Sequence, residues 1–286
     1  MDIDIEYLKT WEGKIQTQAD RITLAPRTAL AATLDRPADM LPLDGGLPPL
    51  WHWLYFLPTA FQSELGPDGH AKRGGFLPPV PFPRRMWAGG RLSFRYPLRV
   101  GDVVERTSEV VSVDLKHGRS GSLVFVLVRH TIRSEAGLAL TEEQDIVYRE
   151  QQASDSPPVE PLKATRESVW EKRIRPDETL LFRYSALTFN SHRIHYSRNF
   201  AMNVEGYPGL VVHGPLIATQ LLDLLEQKMP DAELASFSFR AVSPLFDTED
   251  FYVCAAPAQD GKSVELWARA IDGRLAMQAQ AVLAIS

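Results

Sequence analysis

The sequence has almost no cysteine, no long apolar run and no large excess of one charge. Cys254 is the single cysteine in 286 residues, which excludes a disulfide framework and a cysteine-based metal cluster. No stretch approaches the roughly 18 apolar residues of a membrane-spanning helix. Lys and Arg number 31 against 36 Asp and Glu, so no overall positive field attracts nucleic acid. The first residues are acidic, unlike basic targeting segments, and we expect a cytoplasmic protein without nucleic-acid or membrane partners.

What the first half does contain is proline, followed by strand-like segments. About half of the 21 prolines fall between Pro37 and Pro97, which predicts extended coil there because proline lacks an amide donor. Alternating or β-branched patterns then predict strands at the end of this region and beyond it. These strands cover residues 91–96, 103–113, 122–132 and 141–149.

The second half repeats this organisation around one apolar helix. Residues 216–225 are almost wholly apolar and follow Pro215, which predicts a buried helix beginning near that proline. Strand-like runs surround it at 235–246, 251–256, 264–271 and 275–285. The tripeptide Ser-Phe-Arg at 93–95 recurs at 238–240, which favours an internal duplication. We therefore predict an α+β double hotdog with units at 1–150 and 168–286, each a long helix wrapped by a curved antiparallel sheet, joined by a polar linker at 151–167.

Polar side chains with catalytic potential concentrate at 182–196 and 205–215, immediately before the apolar helix. His192 and His195, three residues apart, share one face of a helical turn and could ligate zinc. No cysteine is near, and the candidate carboxylates Glu205 and Asp223 are distant in sequence, so we predict no metal. A Gly-x-Ser-x-Gly turn for a serine hydrolase is also missing. Histidines that only stabilise a packed core remain the simplest alternative.

The segment Asn190-Ser-His-Arg-Ile-His195, with Val212-His-Gly214 after it, resembles the signature of MaoC-like R-specific enoyl-thioester hydratases and dehydratases. That signature reads Asp-x-Asn-Pro-Ile/Leu-His followed by Val-His-Gly, so Asn190 stands where the family has an aspartate. The residues around this segment are similar to one subgroup of the family, and so are residues 49–56 and 83–90 of the first half. This subgroup contains the itaconyl-CoA and mesaconyl-C4-CoA hydratases and the type 2 3-hydroxyacyl-thioester dehydratases.

The resemblance implies catalytic roles for three residues. His195 is the expected base, because an imidazole with a pKa near ~6.5 suits proton transfer at neutral pH. Asn190 cannot ionise and is expected to hold the water through its amide. The amide of Gly214, at the start of the helix, is expected to stabilise the negative charge on the thioester oxygen. We predict that His195 is the only titrating catalytic group.

Substrate contacts are predicted in both halves. The guanidinium groups of Arg84 and Arg85, beside Trp87, suit a carboxylate or a phosphate. In the second half Arg193 is a candidate for a phosphate of coenzyme A, and Tyr196 and His213 are candidates for lining the pocket. No nucleotide or redox cofactor motif is visible, so coenzyme A enters only as part of the substrate.

The resemblance implies a lyase that hydrates a short dicarboxylic enoyl-CoA. By resemblance the substrate is itaconyl-CoA or mesaconyl-C4-CoA and the product citramalyl-CoA, as in itaconate degradation. The alternatives are an R-specific 3-hydroxyacyl-thioester dehydratase for fatty acyl chains, a hotdog thioesterase and a non-catalytic acyl-CoA-binding protein. The N-terminal unit is expected to be non-catalytic and to shape the acyl pocket. Two chains could pair as a homodimer.

Overall fold

The computed structural model describes residues 3–37, 41–42, 44–118, 121–150 and 160–284. In these residues four α-helices accompany ten strands that form a single antiparallel sheet. The helices are α1 (Ile5–Lys9), α2 (Leu24–Thr33), α3 (Glu178–Leu187) and α4 (Gly214–Lys228). The strands are β1 (Ile15–Arg21), β2 (Arg84–Phe94), β3 (Val103–Gly118), β4 (Gly121–Ser134), β5 (Gly137–Arg149), β6 (Trp170–Ile174), β7 (Leu234–Ala241), β8 (Phe251–Pro257), β9 (Ser263–Ala270) and β10 (Leu275–Leu283).

The order of the strands shows two equivalent halves. The sheet runs β1-β3-β4-β5-β2-β7-β10-β9-β8-β6, so from either edge the first strand of a half is followed by its third, fourth, fifth and second. The halves meet where β2 pairs with β7, with Gly90 opposite Phe239 and Arg91 opposite Ser238. The two Ser-Phe-Arg tripeptides lie at these equivalent strands, which agrees with an internal duplication. Domain boundaries at 150 and 168 remain a prediction, because residues 151–159 lie outside the described part of the chain.

Strand β2 corrects the expectation of coil from Pro37 to Pro97. It begins at Arg84, seven residues before the expected strand at 91, and lies in the middle of the sheet between β5 and β7. The physical reason is local, since no proline interrupts the chain between Pro83 and Pro97 and every amide there can join the ladder. Strand β2 therefore places Arg84, Arg85 and Trp87 on a central strand of the sheet and not in coil.

Helix α4 is the predicted apolar helix. Every residue from Leu216 to Leu225 is buried, and the helix packs against β6, β8, β9 and β10 of the C-terminal half. Burial of a single Leu side chain contributes about 1.5–3 kcal/mol, so this helix is a major source of stability. The one buried carboxylate on it, Asp223, accepts a hydrogen bond from Lys172 at 2.9 Å.

The N-terminal half has a shorter helix than expected. Helix α2 spans ten residues, and the segment Trp51–Leu54 forms only a 3-10 turn that packs against it. Trp51 is 2% exposed and belongs to a core that continues through both halves and includes Ile22 and Phe237. None of the helices in the described residues is long and apolar enough to cross a membrane.

Candidate active site

A cleft of about 480 Å³ lies between the two halves of the molecule. Its walls come from the start of β2, from β5, from the loop before α4 and from the N-terminal end of α4. The polar side chains that line it include Asp68, His70, Arg84, Arg85, Asn190, His192 and His195. Both halves therefore contribute to one site.

The loop that carries Asn190 is held by hydrogen bonds that follow the end of α3. Phe189 adopts a left-handed conformation with φ of 50°, which ends the helix and turns the chain. The backbone N–H of Asn190 then donates to the Ser185 carbonyl at 2.8 Å. The side-chain oxygen of Asn190 accepts the backbone N–H of His192 at 3.0 Å, so the side-chain NH2 group is the part of Asn190 that remains for a ligand.

His195 presents one defined nitrogen to the cleft. Its Nδ1–H donates to the Val211 carbonyl at 2.7 Å, and this bond leaves Nε2 as the unprotonated atom of the neutral ring. The residue is only 7% exposed. Burial lowers the pKa of His195 from 6.5 to about 4, although the Val211 hydrogen bond opposes the shift. His195 is therefore a neutral hydrogen-bond acceptor throughout the neutral pH range.

His213 lies behind His195 instead of lining the cleft. The two rings stack with centroids 3.7 Å apart, and His213 Nε2 shares a 2.8 Å hydrogen bond with Ser185 Oγ. Burial holds its pKa well below the usual 6.5. The predicted contact of His213 with substrate therefore has no place in the cleft lining, and its ring packs against the His195 ring.

Gly214 begins α4 next to the cleft. The first amides of a helix have no partner within it, and Pro215 has no N–H, so Gly214 and Leu216 supply the free donors of this turn. No atom lies within 4 Å of the position that a Gly214 side chain would occupy. An acyl group can therefore approach this helix end without steric hindrance.

The two arginines of β2 differ in their pairing. Arg84 is neutralised by Glu205, with 3.3 Å between Arg84 Nε and a carboxylate oxygen, and also donates to the Glu205 carbonyl at 2.9 Å. The Arg85 side chain has no hydrogen bond or ion pair with any residue that the structure describes. Burial lowers the pKa of His70 and of His192, and the Arg85 charge adds to both shifts. Trp87 lines the cleft while it packs edge-on against Trp53 at 5.0 Å.

Two expected substrate contacts are not in the cleft. Arg193 donates to the Pro67 carbonyl at 3.1 Å and lies over the Phe200 ring at 4.5 Å, so its guanidinium is used within the protein. Tyr196 is 47% exposed and its hydroxyl donates to the Ser191 carbonyl at 3.1 Å. Both residues stabilise the loop around His195 and neither faces the cleft.

The sequence interpretation missed Asp68 and His70. They belong to a turn in the proline-rich segment, and the His70 ring packs against the His192 ring with centroids 4.0 Å apart. Burial lowers the pKa of His192 to about 2, with a further contribution from His70. The signal that could have found the turn is Pro67-Asp68-Gly69, a combination typical of tight turns.

Among the described residues, a possible set of metal ligands is formed by Asp68, His70 and His192. Donor atoms of Asp68, His70 and His192 lie within 4.8 Å of one another. The Asp68 carboxylate already accepts a hydrogen bond from His70 Nδ1 at 2.9 Å, which accounts for this contact without an ion. The absence of a metal remains a prediction.

Comparisons with known proteins agree with this architecture. Residues 50–247 match the family model for hydroxyacyl-thioester dehydratase type 2. The mesaconyl-C(4)-CoA hydratase of Chloroflexus aurantiacus is 46% identical over 269 residues, which cover 94% of this chain and 95% of that protein.

Solved structures share the fold at low sequence identity. A MaoC-like dehydratase from Phytophthora capsici superposes with a TM-score of 0.71 at 13% identity, over 99% of this chain and all of that one. A Mycobacterium tuberculosis protein described as a double hotdog superposes with a TM-score of 0.58 at 14% identity, over 96% of each chain. These similarities confirm the double hotdog fold. With the family model and the 46% identical relative, they establish that this chain belongs to the hydroxyacyl-thioester dehydratase type 2 family.

Proposed function

We propose that this protein adds water reversibly to a short dicarboxylic enoyl-CoA, mesaconyl-C4-CoA or itaconyl-CoA, to give citramalyl-CoA. The observation that carries the proposal is Arg85, a cation in the cleft that the described residues leave without an ion pair. A free carboxylate on the acyl group would supply its partner. The 46% identity to a mesaconyl-C(4)-CoA hydratase over nearly the whole chain supports the same substrate class.

In this proposal His195 activates the water. Its Nε2 takes a proton from the water molecule while the oxygen bonds to Cβ of the enoyl group. The neutral state of His195, maintained by burial and by the Nδ1 hydrogen bond to Val211, is the state that a base requires. The Asn190 side-chain amide, on the same cleft, donates to the water oxygen and orients it.

The thioester oxygen gains negative charge as water adds to Cβ. The free amides at the start of α4 can stabilise negative charge, and the open space at Gly214 lets the thioester reach them. Loss of one such donor costs about 2.7–4 kcal/mol in enzymes where it has been removed. This helix end is therefore the proposed oxyanion site.

The family model gives weak support to a second candidate, R-specific 3-hydroxyacyl-thioester dehydration of fatty acyl chains. A fatty acyl chain would leave the Arg85 charge without a partner beside an apolar ligand, which is energetically unfavourable. A non-catalytic acyl-CoA binder is the third possibility, because Asn190 replaces the usual aspartate.

The test follows the loss of conjugated enoyl-thioester absorbance with mesaconyl-C4-CoA and crotonyl-CoA in parallel. Turnover of the dicarboxylic thioester, abolished in His195→Ala, is the expected result. Preference for crotonyl-CoA would move the assignment to fatty acyl dehydration. Binding of both thioesters without turnover would identify a binder, and release of free thiol would identify a thioesterase.

Two further properties belong to the proposal. We expect no cofactor beyond the coenzyme A of the substrate and a cytoplasmic location. Two chains could pair as a homodimer, and light scattering on the eluate of a size-exclusion column gives the mass that decides it.

A further inference from the structure

Apart from His195, the C-terminal motif offers only His192 as a titratable group in the cleft, and burial lowers the pKa of His192 to about 2, too low for a proton donor at neutral pH. Hydration needs a proton at Cα as well as a base for water, and Asn190 cannot ionise. Its side-chain oxygen is also occupied by the His192 amide. The expectation that His195 alone handles both protons followed from this gap in the motif.

A turn of the N-terminal half lies against the loop that carries the C-terminal motif. The Asp68 carbonyl accepts the backbone N–H of Arg193 at 2.9 Å, and the Gly69 carbonyl accepts the Ser191 hydroxyl. Arg193 also donates from its side chain to the Pro67 carbonyl at 3.1 Å. The turn is thus attached directly to the loop that carries Asn190 and His192.

Within this turn Asp68 and His70 form an oriented pair. The Asp68 carboxylate accepts the backbone N–H of His70 at 3.0 Å and its Nδ1–H at 2.9 Å. The other ring nitrogen of His70, Nε2, is left for the cleft that both residues line with His195. Burial raises the pKa of Asp68, but the His70 hydrogen bond and the nearby His192 outweigh it and keep the pKa below its usual value.

We propose that His70, positioned by Asp68, is the second acid–base group of the reaction and exchanges the proton at Cα. This inference rests on the proposed function and replaces the expectation that the N-terminal half is non-catalytic. In hydration, His195 Nε2 takes the water proton, the oxygen bonds to Cβ, and the C=C electron pair moves to Cα. His70 acts as the imidazolium, the form that its hydrogen bond to Asp68 stabilises against the opposing effect of burial. It gives its Nε2 proton to Cα and becomes neutral, and solvent then restores the proton on His70 and removes the one on His195.

The first test replaces each member of the pair. His70→Gln is expected to lower kcat by about 10²–10⁴-fold, the usual contribution of a general acid or base, with KM changed little. The matched control is His117→Gln, an exposed histidine that contacts Ser122 and should keep wild-type kcat. A His70→Gln enzyme with the kcat of the control, or with a change in KM alone, overturns the proposal.

The Asp68→Asn variant separates positioning from packing, because it keeps the size of the side chain and removes the charge. The groups that face His70 are Asp68, His192, His195, Arg85 and Arg73, and only Asp68 carries negative charge. Without it His70 holds a proton less well, so the basic limb of the hydration kcat should move to lower pH. A basic limb that stays in place in folded Asp68→Asn contradicts the role.

Substrate identity does not decide this test. If the wild type prefers crotonyl-CoA, the dicarboxylic assignment fails while the His70 comparison is run with crotonyl-CoA. If the wild type turns over none of mesaconyl-C4-CoA, itaconyl-CoA and crotonyl-CoA, both proposals are wrong. Circular dichroism and thermal melting of each variant confirm that a lost kcat does not come from unfolding.

Discussion

Gly69→Ala tests whether the N-terminal turn must contact the catalytic loop. Gly69 has φ of +89°, and a Cβ atom there would lie 1.9 Å from the Ser191 carbonyl oxygen. Real Cβ atoms stay at least 3.0 Å from such atoms, so the turn and the loop must separate by roughly 1 Å. The positive φ adds a strain of about 1–2 kcal/mol for an L-residue.

The chain offers a control that isolates the collision from the strain. Gly273 has φ of +85° and no atom within 4 Å of the position that a Cβ atom would occupy, so Gly273→Ala introduces the strain alone. Both variants should lose about 1–2 kcal/mol of unfolding free energy, with a further loss in Gly69→Ala. A displacement of about 1 Å at an active site can lower the rate by ~10²-fold, which we expect for kcat of Gly69→Ala only.

The assays are urea unfolding for stability and loss of enoyl-thioester absorbance for kcat. Equal kcat values in folded Gly69→Ala and Gly273→Ala would refute the reasoning. In that case kcat would not depend on the position of the turn or on the packing of the His70 ring against the His192 ring.

Three more predictions follow from the site. Gly214→Ala should keep the wild-type melting temperature, because its Cβ meets open space, but should lower kcat by obstructing the thioester at the helix end. The free energy of unfolding should fall as the pH decreases from 6.5 towards 4. Burial lowers the pKa of His195 to about 4 and that of His192 to about 2 in the folded protein, so the unfolded chain binds protons first. A flat urea midpoint between pH 7 and 5 would contradict this. Dialysis against a chelator should leave kcat unchanged, because hydrogen bonding to His70 accounts for the Asp68 contact without a metal, and a loss restored by zinc would show that a metal is required.

The fold was largely predictable because its strongest signals are local. The apolar run at 216–225 could only be stable as a buried helix, and the alternating segments could only be stable as strands with one buried face. Helix α2 was not predicted, since Pro26 and several small residues give it a weak apolar face. The start of β2 was missed because it lies within a proline-rich region, directly after Pro83, which suggested coil.

The C-terminal part of the site was predictable because one motif carries it. Asn190, His195 and Gly214 lie within 25 residues of the sequence and meet in the cleft. Asp68 and His70 precede that motif by more than 100 residues, and only the packing of the two halves brings them to His192. Burial of His213 likewise depends on the ring of His195 in front of it, which no local pattern encodes.

The most direct test of a dicarboxylic hydratase is the ratio of kcat/KM for mesaconyl-C4-CoA to that for crotonyl-CoA, in the wild type and in Arg85→Gln. Arg84→Gln is the matched control, because Arg84 is already paired with Glu205. A charged hydrogen bond contributes about 1.5–3 kcal/mol, so Arg85→Gln should reduce the ratio by roughly 10–150-fold. Arg84→Gln should change it much less. A wild type that prefers crotonyl-CoA, or a ratio unchanged in Arg85→Gln, would contradict the proposed function.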